Sequence, residues 1–265
     1  MWSCFCSEWA KLRRCQILLV GLVALTLCPL VQYGTQLIME PELRDPNYDI
    51  AHLFSAVVWG NTQMFLPLSL VMIGGWMIDR ETAQDTLKNL LCVPLSRPRL
   101  LGAKLLAVVC LALGLGVYSC AATLAAGRLF ALPGWSGPVV LAGCGQILGA
   151  SATTALVCLP LVLVFGQRRG GYLPGAILTF FLGYSILFFK SGVLLSAYPF
   201  SAALILVGFD MRGYNGATAA PQPLLSAVGL AAMPALALVL LALSGRWGRR
   251  TLPARAARHR RGRRR

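Results

Sequence analysis

Charge is scarce in this chain and unevenly signed. Only 12% of its residues are charged, nine are acidic, and histidine occurs only at His52 and His259. A soluble domain carries about 25% charged residues, so the balance excludes an ordinary water-soluble fold. Two histidines leave too little for a histidine-based metal centre or an intramembrane protease site. No G-x-x-x-x-G-K-[ST] segment occurs, which excludes ATP hydrolysis through a phosphate loop. The nine cysteines (Cys4, Cys6, Cys15, Cys28, Cys92, Cys110, Cys120, Cys144 and Cys158) contain no C-x-x-C pair. Most lie in apolar runs, where cysteine packs as a small hydrophobe. Cys4 and Cys6 stand beside a span, where acylation is the alternative to that reading. No nucleophile–base spacing stands out, so no catalytic, cofactor-binding or metal-binding residue is assigned.

What is present is apolar sequence. The chain is 57% hydrophobic with a mean hydropathy of +0.69. Its apolar runs predict six transmembrane helices, over 15–38, 52–78, 100–126, 135–165, 172–195 and 224–245. Each is long enough for a hydrocarbon core that needs about 20 residues. Helix is the expected form because a backbone in lipid must satisfy its own hydrogen bonds. The expected fold is an all-α polytopic membrane protein with one transmembrane domain over 15–245. A basic amphipathic segment, 1–14, precedes it; a signal peptide is the competing reading of that start. An arginine-rich tail, 246–265, follows, read as disordered and drawn to anionic lipid rather than to nucleic acid. Residues 197–209 are apolar but too short to cross. They are placed outside, between the fifth and sixth spans, as a re-entrant or interfacial helix, so cysteines at Phe200 and Phe209 are expected to face external reagents.

Basic residues set the orientation. Three lie before the first span (Lys11, Arg13, Arg14), five around the second loop (Arg80, Lys88, Arg97, Arg99, Lys104), two at Arg168 and Arg169, and ten in the tail. The other side has only Arg44, Arg128 and Arg212. The rich side is cytoplasmic by the positive-inside rule, with both termini inside. Lys190, inside the fifth predicted span, is read as snorkelling to the headgroups.

The one long polar stretch before the tail runs from Met77 to Lys104. Within it Ala83, Leu87, Leu90 and Leu91 fall on one helical face. Asp79 and Thr82 are read as N-cap residues, with Glu81 and Asp85 near the positive end of the helix dipole. Pro94 and Pro98 end the helix. This stretch resembles the cytoplasmic loop of type-2 ABC-transporter permeases, through Glu81, Thr86, Leu87, Pro94, Ser96, Arg97 and Lys104. Asp85 departs from the glycine that many members carry before the threonine. The Thr-Leu-Lys-Asn-Leu-Leu wording is closer to the branch that includes lantibiotic-immunity permeases.

The resemblance implies a coupling helix over 81–93 that docks on a separate cytoplasmic ATPase. Its docking residues would be Glu81, Thr82, Asp85, Thr86, Leu87, Lys88, Leu90, Leu91 and Pro94. ATP and magnesium would then be bound by that partner and not by this chain. A second permease copy or a paralogue would complete a dimer in the lipid. The implied function is export of a hydrophobic or peptide substrate, such as an antimicrobial peptide in self-immunity. A non-transporting scaffold or sensor is the alternative, and an intramembrane enzyme is a weaker one because polar clusters inside spans are lacking.

Two sets of residues inside spans are singled out. Asn61 and Gln63 either line a substrate path or join helices by hydrogen bonds. Gly145, Gly149 and Thr153, four apart, allow close helix approach, within the chain or across a dimer.

Reporter fusions after residues 45, 90, 131, 168, 215 and 255 should alternate between outside and cytoplasm, starting outside. A cytoplasmic signal after residue 215 is incompatible with six crossings.

Overall fold

A computed structural model describes residues 9, 12, 15–40, 42, 46–83, 97–190, 192–217 and 222–250, with the side chains of 81–83, 97 and 245–250 left out. All regular structure among these residues is helical. Helix α1 is Ile17–Ile38. The next span begins as α2, Ile50–Gly60, passes through a π-helical turn at Asn61–Phe65, and continues as α3, Leu66–Ala83. Then come α4, Arg97–Leu129; α5, Gly137–Gly166; and α6, Tyr172–Tyr184, which tightens into a 3-10 turn at Ser185–Phe188. Three short helices follow: α7, Gly192–Ala197; α8, Pro199–Leu206; and α9, Arg212–Asn215. Helix α10, Pro223–Arg250, is the last.

The span made by α2, the π-turn and α3 is the centre of the bundle, packed by α1, α4, α5 and α6. It is the most enclosed of the long helices, and α10 the least. The apolar residues turned outward on α1 and α10, such as Leu19, Val23, Leu224 and Leu238, are what lipid would cover.

Local signals fix the helix ends away from the basic loops. Asp49 is the N-cap of α2, and its carboxylate accepts from the His52 amide at 3.0 Å. The Ile50 amide donates to the Pro133 carbonyl at 3.1 Å, which ties this start to the α4–α5 turn. Ser136 caps α5 in the same way. Aromatic groups gather at this end: Tyr33 stacks on Phe130 at 4.0 Å, and Arg128 lies 4.0 Å over the Trp135 ring. Such rings suit the headgroup layer.

Five described helices, not six, are long and apolar enough to cross alone. The predicted fifth span, 172–195, stops short. Its thirteen α-helical and four 3-10 residues rise to about 27 Å, less than the ~30 Å core. Backbone conformation is the reason. Phe189 turns extended and Gly192 takes a positive φ of 82°, so the chain leaves the helix and re-enters as α7. Lys190 lies exposed just past the break.

The 197–209 segment is helical but differs from the expectation in its exposure. It is part of a pair of short helices, α7 and α8, broken at Tyr198–Pro199 and packed between α5 and α10. Phe200 is 3% exposed and Phe209 7% exposed, so both expected probe positions are buried. Tyr198 donates to the Leu182 carbonyl at 2.5 Å and receives a bond from Ser185 at 2.8 Å. That side chain fastens the short pair to the end of α6. Thiol probes belong instead at Val193 and Leu194, which are exposed.

Asp49 supplies the test of this end. Partial burial raises its pKa, but the His52 amide, ring and charge and the Ala51 amide lower it by more, so it sits below the ordinary carboxylate value. A depressed carboxylate contributes stability above its unfolded pKa, about 3.9, and that contribution is lost as pH falls through the folded value. Asp49→Ala should therefore cost about 1 kcal/mol near neutral pH. The gap in thermal midpoint from the wild type should close in acid; a gap independent of pH would mean that the carboxylate does not cap.

Candidate functional site

Two levels of the bundle concentrate its polar chemistry. The first is the π-turn. A π-helical turn pairs each amide with the carbonyl five residues back; such turns are rare and frequently occur at functional sites. Here it occupies the middle of the central span, and Asn61, Thr62 and Gln63 are all buried. Asn61 Nδ2 donates to Ser119 Oγ on α4 at 2.8 Å. Ser119 and Thr123 are fully buried on the same face. Phe54 against Gly143, and Gly74 against Val162, set the central span and α5 in parallel register. That register puts the turn level with residues 150–154, hence with Ser151 and Thr154.

Most hydroxyls here follow the usual membrane solution, which is to donate to a carbonyl of their own helix. Ser69 donates to Phe65, Thr123 to Ser119 and Ser151 to Ile147, each at 2.7 Å. Asn61 Oδ1, Thr62 Oγ1, Gln63 Nε2 and Thr154 Oγ1 do not. A buried polar atom without a partner costs roughly 1–3 kcal/mol. On α6, a Cβ at Gly183 would strike the Gln63 carbonyl and lie 2.9 Å from its carbon. Glycine is thus the residue that lets α6 lie directly on the π-turn backbone.

The second level is the end that carries the basic loops. Lys104 is 1% exposed and donates to the Met77 carbonyl near the end of α3. Asp79, 8% exposed, accepts from the Gly170 amide at 3.2 Å, tying α3 to the α5–α6 loop. Arg80 donates to Cys15 Sγ at 3.3 Å beside the start of α1, and its guanidinium lies 5.3 Å over the Trp76 ring. Helices α3 and α5 meet closely just above: a Cβ at Gly166 would lie 3.1 Å from the Gly75 Cα. A cleft of about 590 Å³ opens there, lined by Gln16, Trp76, Asp79, Arg80 and Tyr172 among others.

The sequence-predicted residues distribute as follows. Asp79 and Thr82 are not N-caps, because α3 runs through both to Ala83. No proline or glycine interrupts the chain after the apolar run, and the Asp79 carboxylate is engaged by Gly170 instead. Glu81 and Thr82 thus lie in the last turn of α3, with undescribed side chains. The rest of the expected docking set, Asp85, Thr86, Leu87, Lys88, Leu90, Leu91 and Pro94, lies outside the described residues. A Cβ at Gly149 would lie 3.1 Å from Val207 Cγ1, and Thr153 donates to the Ala203 carbonyl at 3.3 Å, so both positions face the α8 region. Gly145 has open space around it.

Sequence reasoning missed Thr62, Ser119, Thr154 and Gly183. The adjacency of Asn61, Thr62 and Gln63 in an apolar run was the available signal, since three successive polar residues cannot share one α-helical face.

Residues 4–186 match the family model described as ABC-2 family transporter protein. No curated protein matches the chain. The chain belongs to the ABC-2 family of transporter membrane proteins. It is therefore a permease subunit, of a kind that works with an ATPase subunit and is generally not itself catalytic.

The glycine contacts predict a contrast. Gly183→Ala presses a methyl onto the Gln63 backbone and should cost about 1–3 kcal/mol, as overpacking does. Gly145→Ala meets nothing and should leave the thermal midpoint of the purified protein within error of the wild type. Equal behaviour of the two variants is incompatible with the α6–π-turn contact.

Proposed function

We propose that this ABC-2 permease is the membrane half of an ATP-driven exporter and is moved by a separate ATPase through the segment 81–93. The observation that carries the reading is the triple fastening at the end of α3. Arg80, Asp79 and Lys104 join the helix that leads into that segment to the start of α1, to the α5–α6 loop and to α4. A push on residues 81–93 would reach three neighbours at once and not bend a single free helix.

The basic residues around this end support placing it in the cytoplasm, with both termini inside. Glu81–Val93 then supplies an amphipathic docking element, with Leu87, Leu90 and Leu91 as its apolar anchor and Glu81, Asp85 and Lys88 setting register. ATP and magnesium belong to the partner. A second copy or a paralogue completes the translocation unit. The cargo is a hydrophobic or peptide molecule, and the Thr-Leu-Lys-Asn-Leu-Leu wording favours an antimicrobial peptide exported in self-protection.

Leu87→Asp combined with Leu91→Asp tests the docking. Burying a charge in such a contact costs several kcal/mol, enough to lose a micromolar complex. The double variant should insert and fold but fail to co-purify with the ATPase. A folded double variant that still holds the ATPase and stimulates its turnover would rule out docking through this face.

A further inference from the structure

Four of the buried polar atoms left without hydrogen-bond partners gather at one level of the bundle. Asn61 Oδ1, Thr62 Oγ1, Gln63 Nε2 and Thr154 Oγ1 belong to residues 1%, 0%, 6% and 0% exposed, all level with one π-turn. Neighbouring hydroxyls donate to a carbonyl one turn back. The same bond is open to Thr62 and Thr154 on their own helices, and neither makes it. The set is mixed in kind, with an amide oxygen that accepts, an amide nitrogen that donates, and two hydroxyls that do either. It is also uncharged. Between Asp49–His52 and Asp79–Arg80 the central span carries no Asp, Glu, Lys, Arg or His, and neither do α5 and the turn-facing part of α4. A bare cation here would face the Gln63 amide nitrogen, and an anion would face the Asn61 oxygen. A neutral group that both donates and accepts satisfies both.

We propose that the Asn61–Phe65 π-turn, with Thr154 across from it, is a buried binding site for small uncharged donor–acceptor groups. The group is water, or an amide or hydroxyl of a transported molecule. Sites of this kind retain water when two to four polar partners converge. Gly183 keeps α6 in contact with the turn backbone. Only the second source of ligand rests on the permease reading, and neither measurement below requires transport or an ATPase.

The test uses the full-length protein in lipid nanodiscs. Radiolytic hydroxyl labelling reports water held beside buried side chains, and Phe65 and Phe54 are both buried phenylalanines of the central span. Labelling of Phe65 should exceed that of Phe54 at least threefold. It should fall to the Phe54 level in Thr62→Val with Thr154→Val, which keeps shape and removes the hydroxyls. The second arm compares octanamide with methyl octanoate by thermal midpoint. A rise of several degrees with the amide alone, lost in the double variant, assigns the site to a cargo amide. Labelling without that rise assigns it to water. Equal labelling of Phe65 and Phe54 in the wild type, together with no amide-specific shift, overturns the proposal. That outcome depends on no variant folding.

Discussion

A helix that crosses lipid has no water to complete its hydrogen bonds, so its backbone polar groups must find partners inside the protein. The rest of the bundle is arranged around how the Ile50–Ala83 span meets that condition. It does so as α-helix on both sides and changes pairing at Asn61–Phe65. The change places a carbonyl, Gln63, where α6 must approach without a side chain, hence Gly183. It also brings the Asn61 amide onto Ser119 of α4. One local departure from α-geometry thereby sets the closeness of one neighbour and the polar contact of another.

The two halves of this span serve different ends. The α2 half is fixed by its Asp49 cap and by the turn at Pro133, in a setting of stacked aromatic rings. The α3 half ends in charged residues held by neighbours, with Lys104 on a carbonyl, Asp79 on an amide and Arg80 on a thiol and an indole. Charges at such depth are stabilised only by partners of this sort. The π-turn lies between a capped half and a half gripped by three other elements.

Much of the fold was legible because lipid solvation is written into composition. The runs at 15–38, 100–126, 135–165 and 224–245 read as spans and are long helices, with ends displaced by a few residues. The far end of span five was not legible. Hydropathy treats Ser185–Leu195 as continuous apolar sequence, whereas the backbone breaks at Phe189 and Gly192. The burial of the short pair α7–α8 was missed for a related reason. Apolarity alone does not say whether such a segment is open to reagents or wedged between α5 and α10.

The sequence by itself determined the solvent of this protein, its helical class, the absence of a phosphate loop and the asymmetry of basic charge. These follow from summed transfer free energies and from residue counts, which need no coordinates. Tertiary structure decided what pairings across long sequence separations decide. Asp79 answers an amide 91 residues away and not its own helix end, and Asn61 meets Ser119. Gly149 and Thr153 serve an intrachain helix while Gly145 stays open. Helical periodicity gives each of these residues a face, and only packing says what that face meets.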